Sequence, residues 1–187
     1  MTNKALKDFY NSLHKDLRVS NNKGCFAIKE KDGSAIRTIH LTFKNKDDAI
    51  IIRQIENQHT IEMLQGYSTN CSCDFIVLLN SSRGLEIYFC EIKSSYQKKY
   101  LDEAIKQIES SQLFLQYLLD CYSYYYKNDD FKNIDISKSK KYYIYPFSSM
   151  SQKRSTSASQ NRLEFKAIVI DSYGTATIAN AYNFFGV

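Results

Sequence analysis

Asp74 is followed by sixteen residues and then Glu91-Ile92-Lys93, and this trio is the strongest chemical grouping in the 187-residue chain. Two carboxylates can hold one or two Mg²⁺ ions, because that ion is hard and prefers oxygen ligands. Glu91 and Lys93 stand two apart, so on a strand they share a face, ~7 Å apart along it. Hydrolysing a phosphodiester requires positive charge on the non-bridging oxygens and a water made nucleophilic near neutral pH. A metal supplies both, and a Lys ammonium beside it can orient or deprotonate that water while balancing developing charge. A Lys held near a cation and partly desolvated is expected to have its pKa pushed down.

The elements around the trio suit that use. Asp74-Phe75-Ile76-Val77-Leu78-Leu79 is almost wholly apolar, as expected of a strand covered on both faces. Asn80-Ser81-Ser82-Arg83-Gly84 reads as a turn, and Leu85 to Lys93 as a second strand. If the two strands run antiparallel, the Asp74 and Glu91 ends meet at one edge. A helix follows, roughly Tyr100 to Tyr117, with Ile105, Ile108, Leu115, Leu118 and Leu119 as its apolar stripe. Asp102 and Glu103 occupy its first turn, where the helix dipole favours acids. A tyrosine-rich continuation, Tyr122 to Tyr126, fades into a polar loop at 127–140.

Upstream, Leu6, Phe9, Tyr10, Leu13 and Leu17 are spaced for one face of a helix over residues 4–18. Residues 25–43 read as a hairpin around Asp32-Gly33. Ile50-Ile51-Ile52 favours a strand at 49–55 by β-branching, and 59–64 fits strand or helix. Downstream, Lys141 to Phe147 reads as a strand that Pro146 helps to end. Residues 148–161 form a polar loop, 167–170 a strand, and Ser172-Tyr173-Gly174 a turn into Ala176-Thr177-Ile178. This order predicts an α/β fold, a mixed central sheet flanked by helices, in one domain spanning 1–187.

An apolar strand opened by Asp, a short turn, and an apolar strand closing with Glu-x-Lys resemble the core of the PD-(D/E)XK nuclease superfamily. That group includes restriction endonucleases, Holliday junction resolvases and transposon-end nucleases. The resemblance covers about residues 60–147 and implies a restriction-endonuclease-like core. It implies a Mg²⁺ (or Mn²⁺) site on Asp74 and Glu91, and Lys93 assisting the attacking water. Many members place a Gln or Lys on the following helix to face the site, which points to Gln107. An additional acid from an earlier helix often completes the metal shell, and Glu62, or failing that Glu56, is its counterpart here. Cys73 stands where the signature's Pro would precede Asp74.

The remaining features bound the partners. A net charge of +5 permits a polyanion without requiring one. Lys153, Arg154 and Arg162, in a Ser-rich stretch, are candidates for contact with a phosphate backbone, against the plain alternative of a solvated loop. The Tyr clusters suit packing better than base stacking. Five scattered Cys without C-x-x-C spacing read as reduced thiols in the cytosol, with Cys90 a small buried hydrophobe. The N-terminus lacks a signal-peptide core. No segment has the ~18 apolar residues of a membrane span, so no membrane is expected. The chemistry points to a nuclease acting on nucleic acid, DNA first, in defence, repair or mobile-element processing. The alternative is a catalytically silent module that binds nucleic acid or serves as a partner subunit. A homodimer is compatible with either.

Overall fold

The computed structural model describes residues 2–30, 33–54, 71–147 and 162–187. Among the described residues the strands are β1 (Asn21–Asn22), β2 (Cys25–Lys29), β3 (Thr38–Thr42), β4 (Ala49–Ile52), β5 (Phe75–Ser81), β6 (Gly84–Ile92), β7 (Lys140–Pro146), β8 (Glu164–Ile168) and β9 (Thr175–Ile178). The helices are α1 (Asn3–Ser12), α2 (Leu101–Tyr126) and α3 (Ala181–Phe185). The fold is mixed α/β, but with two mixed sheets where the sequence suggested one. Five strands run β4-β5-β6-β7-β8 and four run β1-β2-β3-β9.

Strand alternation explains the layering. On β5, Ile76 and Leu78 join one core with α1 and α2, while Phe75, Val77 and Leu79 join the opposite core with the small sheet and α3. On β6, Ile87 and Phe89 face the helices, and Tyr88, Cys90 and Ile92 face the small sheet. The large sheet is therefore covered on both sides, which is why its strands read as continuous apolar runs. Ala181 and Phe185 of α3 close the second core, with Phe185 stacked 5.7 Å from Tyr142.

β4, β5 and β6 are successive antiparallel partners, whereas β6, β7 and β8 run parallel. A parallel pair requires a crossover, and α2 supplies the one between β6 and β7. Its stripe of Leu101, Ala104, Ile105, Ile108, Leu115, Leu119 and Tyr122 is buried, while Leu113 and Tyr117 on the other side are exposed. Among the described residues no helix is long and apolar enough to cross a membrane.

Several boundaries differ from the sequence reading. α1 stops at Ser12 because Leu13 turns extended, and a short 3₁₀ turn at Lys15–Leu17 follows; Leu13 and Leu17 stay buried even so. The turn between β5 and β6 is two residues rather than five, with Ser81 already paired to Gly84. α2 runs nine residues beyond Tyr117, ending where Lys127 adopts a left-handed conformation (φ 52°). Tyr122 packs in the core there, while Tyr124, Tyr125 and Tyr126 are exposed. β8 lies three residues earlier than the 167–170 run, because Glu164 to Ile168 take the ladder beside β7 and leave Val169 exposed.

The orientation of α2 is open to a direct test. Ile108→Ala should cost roughly 2–5 kcal/mol of stability by leaving a cavity against the sheet. Leu113→Ala, five residues on but 75% exposed, should stay within about 0.5 kcal/mol. Denaturant melts giving equal losses would contradict this facing of the helix.

Candidate functional site

The ladder between β5 and β6 pairs Phe75 with Cys90. Continued by one residue, the register sets Asp74 opposite Glu91. Parity does the rest. Asp74 has the parity of Ile76 and Leu78, and Glu91 and Lys93 that of Ile87 and Phe89, so all three side chains belong to the α2 face of the sheet. They converge in a cleft of about 980 Å³ that Gln107 of α2 also lines.

Asp74 opens to this cleft while being packed on most other sides. Its Oδ2 accepts the Ile92 backbone N–H at 2.5 Å, which fixes the carboxyl against the end of β6. Burial, and then the nearby charge of Glu30, raise its pKa from 3.8 to about 7. Glu91 is 1% exposed. Its Oε1 lies 2.8 Å from Lys93 Nζ, and its Oε2 is buried without a hydrogen-bond partner among the described residues. Burial first and Asp74 second push its pKa well above the ordinary carboxylate range.

Lys93 sits at the centre of the acids. Besides Glu91, its Nζ donates to Gln107 Oε1 at 3.0 Å and stands 3.8 Å from Glu103 Oε2. The sequence expectation of a lowered Lys93 pKa supposed a cation beside it; with the protein's own groups alone the direction is the opposite. Burial does pull it down, but Glu91, Glu103 and Asp74 outweigh that pull and the net shift is upward. In this arrangement the surrounding acids favour the ammonium form of Lys93.

Cys73 apart, the frame around the trio comes from residues that the sequence reading did not single out. The Cys73 backbone N–H donates to Ser111 Oγ at 2.9 Å, and Ser111 Oγ–H donates to Gln54 Oε1 at 2.9 Å. All three residues are buried, so these bonds form where water cannot replace them. Ser111 and Gln107 are one helical turn apart, on the same side of α2. One turn therefore anchors the chain entering Asp74, and the turn before it touches Lys93. The one available signal was a serine in the Ala104, Ile108, Leu115 stripe. On the opposite wall, Arg53 Nη2 pairs with Glu30 Oε1 at 3.2 Å, and its Nη1 donates to the Lys29 carbonyl. Neither residue stands in a recognisable motif. Cys73 also lines the cleft, yet burial raises its thiol far above neutrality, so it offers no thiolate nucleophile.

Of the residues singled out in the sequence, Asp74, Glu91, Lys93 and Gln107 are brought together. Arg162 is not: its Nη2 lies 2.7 Å from Glu109 Oε1 on the exposed side of α2, and it does not line the cleft. Glu62, Glu56, Lys153 and Arg154 lie outside the described residues. Two carboxylates with one unused, buried oxygen form a donor set that fits a hard divalent cation. Among the described residues no group of three or more His, Cys, Asp or Glu side chains is placed to hold a metal ion. No protein-family model, curated protein or solved structure matches the chain.

The raised Asp74 carboxyl has a stability consequence of definite sign. A folded-state pKa of about 7 against the ordinary 3.8 means that the proton favours the folded chain. That contribution is complete below about pH 4 and is lost as the pH rises through about 7. Asp74→Asn removes the titration and can keep the bond from Ile92. Relative to wild type, the variant should therefore gain roughly 5–10 °C in Tm between about pH 5 and pH 8 in metal-free buffer. A Tm difference that stays flat over that range would show that Asp74 is not so perturbed.

Proposed function

We propose that this chain is a metal-dependent nuclease of the PD-(D/E)XK type, hydrolysing phosphodiesters of nucleic acid, DNA first. One observation carries the reading: Asp74, facing the cleft, stands beside the buried Glu91 with its orphaned oxygen, next to a Lys whose charged form the acids favour. Two buried carboxylates repel, and protonation or a cation is the remedy that restores them. Asp74 and Glu91 would hold Mg²⁺ or Mn²⁺, with further oxygen ligands from water or substrate phosphate. Such an ion supplies Lewis acidity and a more acidic bound water. Lys93, kept protonated by its neighbours, is suited to hold that water or a phosphate oxygen in place. Gln107 fixes the Lys93 ammonium through its Oε1. In this reading the five-stranded sheet and α2 form a restriction-endonuclease-like core.

A second reading rests on a different observation. Lys93 already neutralises one Glu91 oxygen at 2.8 Å, and among the described residues no third acid is placed to join the pair in holding a metal ion. A module of the same fold that binds nucleic acid without cutting, or serves as a partner subunit, would tolerate that arrangement.

Purified protein incubated with labelled DNA and RNA in Mg²⁺ or Mn²⁺ separates the two. The nuclease reading expects cleavage that Asp74→Asn and Glu91→Gln abolish and that Lys93→Ala slows by about a hundred-fold or more. Nucleic-acid binding should survive all three changes. Binding without cleavage by the wild type would favour the silent module.

A further inference from the structure

The cleft opens onto a run of cations on the α1 side of the molecule. Arg18, Lys29 and Arg53 line it beside the carboxylates. The Arg18 guanidinium lies over the Tyr10 ring at 5.7 Å, and Tyr10 lines an adjoining hollow together with Lys7, Lys23 and Lys46. Lys23 and Lys46 in turn border a third hollow with Lys44. The joins are built: Asn21 Nδ2 donates to the Lys46 carbonyl at 2.7 Å, and Asn21 Oδ1 accepts the Gly24 N–H at 2.7 Å. These bonds hold the turn carrying Lys23 against the loop carrying Lys44 and Lys46.

Resting on the nuclease reading, we propose that this track holds the sugar-phosphate backbone of the nucleic-acid strand beyond the segment lying over Asp74 and Glu91. Lys7, Lys23, Lys44 and Lys46 are all exposed. Among the described residues the lysines in ion pairs are Lys93, Lys132, Lys138, Lys140 and Lys141, none of them on the track. Of the carboxylates nearby, Asp48 is engaged by Asn3, Asn45 and Tyr182 and Asp16 by His14. These bonds orient the two carboxylates without removing their charges, so Asp16, Asp47 and Asp48 each oppose with one charge, and Glu30 offsets Arg53. The seven cations Lys7, Arg18, Lys23, Lys29, Lys44, Lys46 and Arg53 outnumber them. A line of unpaired ammonium groups through connected hollows suits a flexible polyanion, which gains from releasing counterions at each phosphate. A lipid surface suits it less. The exposed large hydrophobic side chains, such as Leu113, Tyr117, Tyr124 and Phe147, are not among the residues lining these hollows, and interfacial binding needs apolar area beside the charge.

The test measures binding of single-stranded DNA of ~4 and ~16 nucleotides, the two ends of common single-strand site sizes, in EDTA so that nothing is cut. Lys7→Ala, Lys23→Ala and Lys46→Ala together should weaken binding of the longer strand about tenfold or more. The slope of log affinity against log salt should fall by about two. Binding of the short strand should be unchanged. A control triple, Lys127→Ala, Lys132→Ala and Lys138→Ala, makes the same change in net charge elsewhere and should leave both unaffected. Equal losses in both triples, or equal losses for both lengths, would overturn the track. So would wild type that ignores DNA, or a loss seen only on phosphatidylserine vesicles. Wild type that cuts nothing in Mg²⁺ or Mn²⁺ yet shows the length-dependent loss would sink the nuclease reading and leave the track standing.

Discussion

The antiparallel pairing of β5 with β6 sets two carboxyl groups side by side, Glu91 shut off from solvent and Asp74 reached from the cleft alone. Asp74 opposite Glu91 is a consequence of the Phe75–Cys90 register, so the sheet cannot form without creating the repulsion. Everything around the pair answers it. Ile92 donates its N–H to Asp74, Lys93 neutralises one edge of Glu91, and both carboxyls are pushed toward their protonated forms. One Glu91 oxygen is still left without a partner among the described residues. A fold selected for stability alone would replace such a pair with apolar side chains at little cost.

α2 is the second part of the arrangement. Ile105 and Ile108 bury its inner face, which fixes its rotation and presents Gln107 to Lys93 and Ser111 to Cys73. Packing energy is thereby converted into the position of polar groups. The Ser111–Gln54 bond also ties the helix to the chain just past β4. Elements distant in sequence meet at the entrance to Asp74.

Much of this was legible from local pattern. The Asp-strand-turn-strand-Glu-x-Lys order places Asp74, Glu91 and Lys93 because strand parity is a local property, and Gln107 followed from what the resemblance implies for the next helix. The hairpin of β2 and β3 and the start of β4 were readable for the same reason. Glu30, Arg53 and Gln54 were not, since their approach depends on how the small sheet and β4 close over the cleft. The end of α1 escaped because Leu13 and Leu17 stay buried after the helix stops, so the apolar spacing outlasts the hydrogen bonding. The position of β8 was decided by its partner β7, whose ladder takes up Glu164 and Lys166 despite their charge. The direction of the Lys93 shift depends on its neighbours, with Glu91 on its own strand first and Glu103, reaching over from the helix, second.

The central claim is that the Asp74–Glu91 pair is a divalent-cation site, and direct titration with Mn²⁺ followed by its paramagnetic signal tests it without relying on any reaction. At about pH 8, wild-type protein should bind Mn²⁺ saturably, and Asp74→Asn or Glu91→Gln should each weaken binding at least ~tenfold, as expected when a charged ligand is lost. Gln107→Ala should change it little, because Gln107 touches Lys93 rather than the carboxylates. Equal Mn²⁺ affinity in wild type and both carboxylate variants would contradict the account.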